Sequence, residues 1–195
     1  MRILAVALIL ILPMPGAAPA HEFSLGVHAS GEDARARVVS AVRGALLAAD
    51  ERDGHPDETS DGHLGGVDVH IVPLPEGRPL ALPELVNAHQ GKLDLLLLLD
   101  SVTAAGTALP GVTDQTIVLG PRELPGAADW PRSRAAEGFV ARYRDAWATE
   151  PDVSAAQGYN AARRIDDAIR PHDGLEQTKA IRDALAHNGA AVDWQ

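Results

Sequence analysis

Leu95-Leu96-Leu97-Leu98-Leu99 is an unbroken apolar run, bounded by Gly91 and Asp100. It is too short for a capped helix and offers no polar face to water. A strand of this kind has to be buried on both faces, which is the setting of a parallel sheet covered by helices. The rest of the chain is read against that requirement.

Residues 23–27 form a short strand candidate, followed by His28-Ala29-Ser30-Gly31 and a helix over 32–51. Val38, Val42, Ala45, Leu46 and Ala49 make that helix's apolar stripe, and Arg35, Arg37 and Arg43 are assigned to the water side. Residues 67–72 alternate apolar and polar and read as a strand closed by Pro73, Pro75 and Gly77. A short helix is expected over 82–89, with Pro83 in its first turn, and further strands over 93–99 and 115–119. Strand, helix, strand in this order predicts an α/β fold: a mainly parallel sheet flanked by helices.

The C-terminal third, residues 133–185, reads as three helices. Phe139, Tyr143 and Trp147 recur every four residues beside Ala136 and Val140, and Pro151 ends that pattern. Ser154-Ala155-Ala156-Gln157 has the form of a capping box that opens a second helix. Its apolar face carries Ala155, Tyr159, Ala162, Ile165 and Ile169, and Pro171 and Gly174 stop it. A third helix carries Leu175, Thr178, Ile181 and Leu185, up to Asn188-Gly189.

At the other end, Arg2, the apolar residues 3–12 and Ala18-Pro19-Ala20 have the layout of a secretory signal peptide. Cleavage after Ala20 predicts a leader of residues 1–20 and one α/β domain over 21–195, exported to the periplasm. No cysteine occurs anywhere, so lipid anchoring, disulfides and thiol chemistry are excluded, and no membrane insertion is expected after cleavage. Removing Arg2 leaves 16 basic residues against 27 acidic ones. That balance argues against nucleic acid or an anionic membrane surface as partner, because both require a basic footprint.

Catalytic signatures are missing: there is no G-x-S-x-G, H-E-x-x-H, P-loop or G-x-G-x-x-G. Asp166 and Asp167 are adjacent on a helix and point to different faces, so they cannot work as an acid/base pair. The polar stretch 50–66 holds His55, Asp57, Glu58, Asp61 and His63, with His70 following, but this spacing matches no established metal pattern. Neither metal nor cofactor is expected.

A parallel sheet receives its ligands over the carboxyl ends of its strands. That rule selects two loops. After the first strand, Ser30 and the amides of Gly31 and Glu32 could hold a carboxylate, although Ser30 could equally cap the helix together with Asp33. After the third, Asp100, Ser101 and Thr103 offer a polar rim, with Asp100 placed to meet an ammonium group; an ordinary capped turn would use the same residues. The candidate ligand-binding set is therefore Ser30, Gly31, Asp100, Ser101 and Thr103.

Phe139-Val140-Ala141-Arg142-Tyr143, Pro151, then Ala155-Ala156-Gln157-Gly158-Tyr159-Asn160-Ala161, Asp167-Ala168-Ile169 and Ile181-Arg182-Asp183-Ala184-Leu185 resemble the closing third of the type I periplasmic solute-binding proteins. These are the branched-chain amino-acid-binding components of ABC transporters. Gly65-Gly66 resembles the family's turn at that point. The resemblance implies a non-catalytic protein whose first-strand loop lines a ligand cleft, an amino-acid-like solute, and a membrane permease as partner. It also implies that the helices over 133–169 pack on the first of two lobes. This chain lacks the long central section that builds the second lobe, so a single lobe is expected. Three functions follow as expectations: a solute-binding-like protein, intact or reduced to an accessory role; a homodimer or interaction module for a periplasmic enzyme or transporter; or a metal-binding or hydrolytic protein.

Overall fold

The computed structural model describes residues 22–53, 60–76, 93–100, 115–122, 124, 138–172 and 174–189. The signal-peptide stretch, the helix expected over 82–89 and residues Ser101 and Thr103 lie outside the described residues. The elements are β1 (Glu22–Ala29), α1 (Ala34–Asp53), β2 (His63–Leu64), β3 (Val67–Pro75), β4 (Leu95–Leu98), β5 (Ile117–Leu119), α2 (Phe139–Trp147), α3 (Val153–Ile169) and α4 (Thr178–His187). The fold is α/β. Its sheet runs β2-β3-β1-β4-β5, with β3, β1, β4 and β5 parallel and only the short β2 antiparallel.

The leucine run behaves as its composition demands. Leu95, Leu97 and Leu99 enter the main core with Phe23, Leu25, Val27 and the helices, while Leu96 and Leu98 join Leu74 and Leu93 in a second cluster. A strand with every side chain buried is stable only between two covered faces, which explains the absence of alternation.

β3 is longer than the proline pattern suggests. It continues through Pro73 and Pro75, which pair with Val27 and Ala29 of β1. In a parallel ladder one residue in two points its N–H and C=O to a given neighbour. On β3 the outward set is Val69, bonded both ways to Gly62 and Asp61, and Ile71, whose amide donates to Asp61 Oδ2. Pro73 and Pro75 continue that outward set, so the ring nitrogens replace donors that β1 would not have used. Proline here closes the edge of the sheet instead of ending the strand.

α1 and α3 cross at two glycines. A Cβ on Gly44 would overlap the carbonyl oxygen of Ala155, and one on Gly158 would overlap that of Ala41. The missing side chains let the two backbones touch, and Tyr159 then packs its ring 4.9 Å from Phe139 of α2. The Tyr159 hydroxyl donates to Glu51 Oε2 at 2.6 Å, and Arg142 donates to Glu51 at 2.6 Å and to Tyr159 at 3.1 Å. One network thus ties α1, α2 and α3, and Tyr159 is a structural residue. Burial first, then the hydrogen bond to Glu51 and its charge, raises the Tyr159 hydroxyl above its ordinary pKa.

The expected capping box is displaced. α3 starts earlier, with Asp152 as N-cap accepting from the Ala155 amide at 2.8 Å, and Ser154 is buried inside the first turn. A carboxylate at the positive end of the helix is the stronger cap, and Ser40 of α1 also donates to it at 2.7 Å.

Asp166 and Asp167 do point apart: Asp167 is exposed, whereas Asp166 is fully buried. Solvated surface therefore does not account for Asp166. Its Oδ1 accepts from the Gly65 amide at 2.7 Å and from Arg170 at 2.6 Å, and Arg52 Nε lies 3.1 Å from Oδ2 without hydrogen-bond alignment. The carboxylate pins the β2–β3 turn to the ends of α1 and α3. At the far side, Arg122 and Arg164 both donate to the last carbonyls of α4, including Leu185 O. Burial, then the charge of Arg122, pushes Arg164 down to about 10.

Candidate functional site

From β1 the chain crosses to β3 on one side and later returns to β4 on the other. Strand order therefore reverses between β1 and β4, whose carboxyl ends lie side by side. This is the position at which open α/β sheets form a crevice. Ser30 and Gly31 follow β1, and Asp100 follows β4.

The fold brings these three together. Asp100 Oδ2 accepts from the Ser30 amide at 2.6 Å and from the Ser30 hydroxyl at 2.7 Å. Gly31, held at φ +89° where its lack of a side chain avoids strain, donates its amide to Glu76 Oε2 at 3.1 Å. Of the donors proposed for a ligand carboxylate, Ser30 and the Gly31 amide thus already face carboxylates of the same chain. Ser30 does not cap α1: its hydroxyl is turned to Asp100, while the Asp33 carbonyl accepts from the Arg37 amide.

Arg37 completes the cluster, and it is not on the water side where its place on the helix put it. Its Nη1 donates to Asp100 Oδ1 at 2.6 Å, and its Nη2 donates to the Leu99 carbonyl at 3.0 Å. A third contact, to the Ser30 carbonyl, is longer at 3.4 Å. One signal in the sequence points to it. Arg37 sits in the first turn of α1, where the helix dipole disfavours a cation unless a carboxylate offsets it.

Partial burial pushes the Asp100 carboxyl up, but the hydrogen bonds from Arg37 and Ser30 and the Arg37 charge together outweigh it. The group is held below its ordinary value. Asp100 is therefore an acceptor for Arg37 and Ser30 here. The ammonium it was expected to meet has a guanidinium of this chain in its place.

The histidines make separate contacts. His63 Nε2 lies 2.8 Å from Asp68 Oδ1, and His70 Nε2 lies 3.2 Å from Glu22 Oε2. Among the described residues, no three His, Asp or Glu side chains converge as a metal site; His55, Asp57 and Glu58 lie outside them. No helix among the described residues is long and apolar enough to cross a membrane.

Fold and cluster together define the class: an open α/β sheet with a polar, internally paired group at its switch point. No protein-family model, curated protein or solved structure matches the chain.

Proposed function

We propose that this chain is an exported, non-catalytic lobe of the type I solute-binding kind, reduced to an accessory role in which it engages a partner chain. The observation that carries this reading is the occupancy of the β1–α1 turn. The Ser30 and Gly31 amides, the natural holders of a solute carboxylate, are turned to Asp100 and Glu76. A free solute would have to displace these groups, at a cost in affinity. The packing of α2 and α3 on α1, with Phe139, Tyr143 and Tyr159 in one core with the strands, supports the lobe architecture. A permease or another periplasmic protein is the partner this reading implies.

Calorimetry on residues 21–195 tests it. Titration with branched-chain amino acids and small carboxylic acids should give no one-to-one binding heat. A tight titration by the monomer, unchanged by Ser30→Ala, would overturn both the role and the placement of the site.

The export component is tested separately. The periplasmic fraction should contain a chain beginning at His21, and recovery of Met1 from membranes would contradict cleavage after Ala20.

A further inference from the structure

We infer that Arg37 and Ser30 form a carboxylate subsite that Asp100 occupies as a tethered ligand, closing it in cis. This rests on the switch-point assignment made above and adds to it a named occupant and a ligand class.

The geometry supports an occupant rather than a simple surface ion pair. Three donors from two segments converge on one carboxylate: the Ser30 amide, the Ser30 hydroxyl and Arg37 Nη1. They engage both of its oxygens. The guanidinium has an anchor besides Asp100. Its second nitrogen is fixed by the Leu99 carbonyl at 3.0 Å, and its stem is fixed by α1. Ser30 directly follows Ala29, the last residue of β1, whose carbonyl accepts from the Glu76 amide at 2.9 Å. Loss of the Asp100 side chain would leave a formed, positively charged cradle with two further donors aimed into it.

The backbone also supplies the reason the site is closed in the intact protein. Leu99 donates its amide to the His28 carbonyl at 2.9 Å, so the residue before Asp100 is locked to β1. A carboxylate delivered from that position has an effective concentration of at least about millimolar, and higher as the tether stiffens. A free monocarboxylate below that range loses the competition.

Thermal melts with sodium acetate against sodium chloride at equal ionic strength test this on three proteins: wild type, Asp100→Ala and Asp100→Ala with Arg37→Met. Acetate should raise the melting temperature of Asp100→Ala saturably. It should do no more than chloride for wild type and for the double variant. An Asp100→Ala protein that responds equally to the two salts would overturn the inference, as would a double variant that keeps the acetate response. If Asp100→Ala does not fold alone, recovery of its helical circular dichroism on adding acetate is the readout, and failure to recover overturns the subsite equally. The parent reading fails instead when wild type itself binds a solute, so the two failures are distinguishable.

Discussion

Ser30 gives both its amide and its hydroxyl to a single oxygen of Asp100, 70 residues away in the chain. The same arrangement recurs at the opposite end of the strand pair. Ser24 gives its amide and hydroxyl to Asp94 Oδ2 at 2.8 and 3.0 Å, again across 70 residues. The intervening register is Leu25 with Leu95 through His28 with Leu98, so the two Ser–Asp brackets flank the central β1–β4 pairing. Among the described residues, only the carboxyl-end bracket recruits an arginine.

Acid stability should reflect that difference. Asp100 has a folded pKa below its unfolded value, so its contribution is complete above the unfolded carboxylate range, about pH 4. The contribution is lost as pH falls through the lower folded value. Asp100→Asn should therefore flatten the acid limb of a stability-against-pH curve. The effect will be small, because the side chain is 37% exposed and water screens the pair. An unchanged acid limb would show that Arg37 and Ser30 do not stabilise the carboxylate.

Tyr159→Ala should cost about 3–5 kcal/mol in urea unfolding, as a large buried aromatic whose removal leaves a cavity beside Phe139. Tyr159→Phe should cost roughly 1.5–3 kcal/mol, since it deletes a hydrogen bond to the charged Glu51 and keeps the ring. Equal losses in the two variants would place the stabilisation in the hydroxyl network and not in packing.

Gly158→Ala would ordinarily favour a helix by about 1 kcal/mol. Here the added methyl meets the Ala41 carbonyl of α1, and the helices must separate. A net loss of about 1–3 kcal/mol is expected, the usual range for overpacking. A stabilised variant would show that the α1–α3 contact can yield without cost.

Asp166→Ala should destabilise by about 1–3 kcal/mol, because it leaves the buried Gly65 amide without its acceptor, whereas Arg52 and Arg170, 31% and 53% exposed, can turn to water. Hydrogen exchange should show the β2–β3 turn opening first. Protection of that turn at the wild-type level would remove Asp166 from its anchoring role.

The elements were legible where side-chain period reflects burial. The leucine run, the aromatic spacing of α2 and part of the α1 stripe, with Val38, Ala45 and Ala49 buried but Val42 and Leu46 half-buried, are local records of which face each segment turns to the core. Turn chemistry marked the loop after β1 as the place to look, and the rule that ligands sit over the carboxyl ends of parallel strands chose Ser30, Gly31, Asp100, Ser101 and Thr103, the last two outside the described residues. The strand order, the outward set of β3 that makes Pro73 and Pro75 compatible with a sheet, and the burial of Asp166 were decided only by tertiary structure. So was the state of the site. Whether a serine amide waits for a ligand or holds a carboxylate of its own chain depends on which residues 70 positions away arrive beside it. No local pattern encodes that distance, because charged partners are brought together by packing and then satisfied by whatever packing delivers.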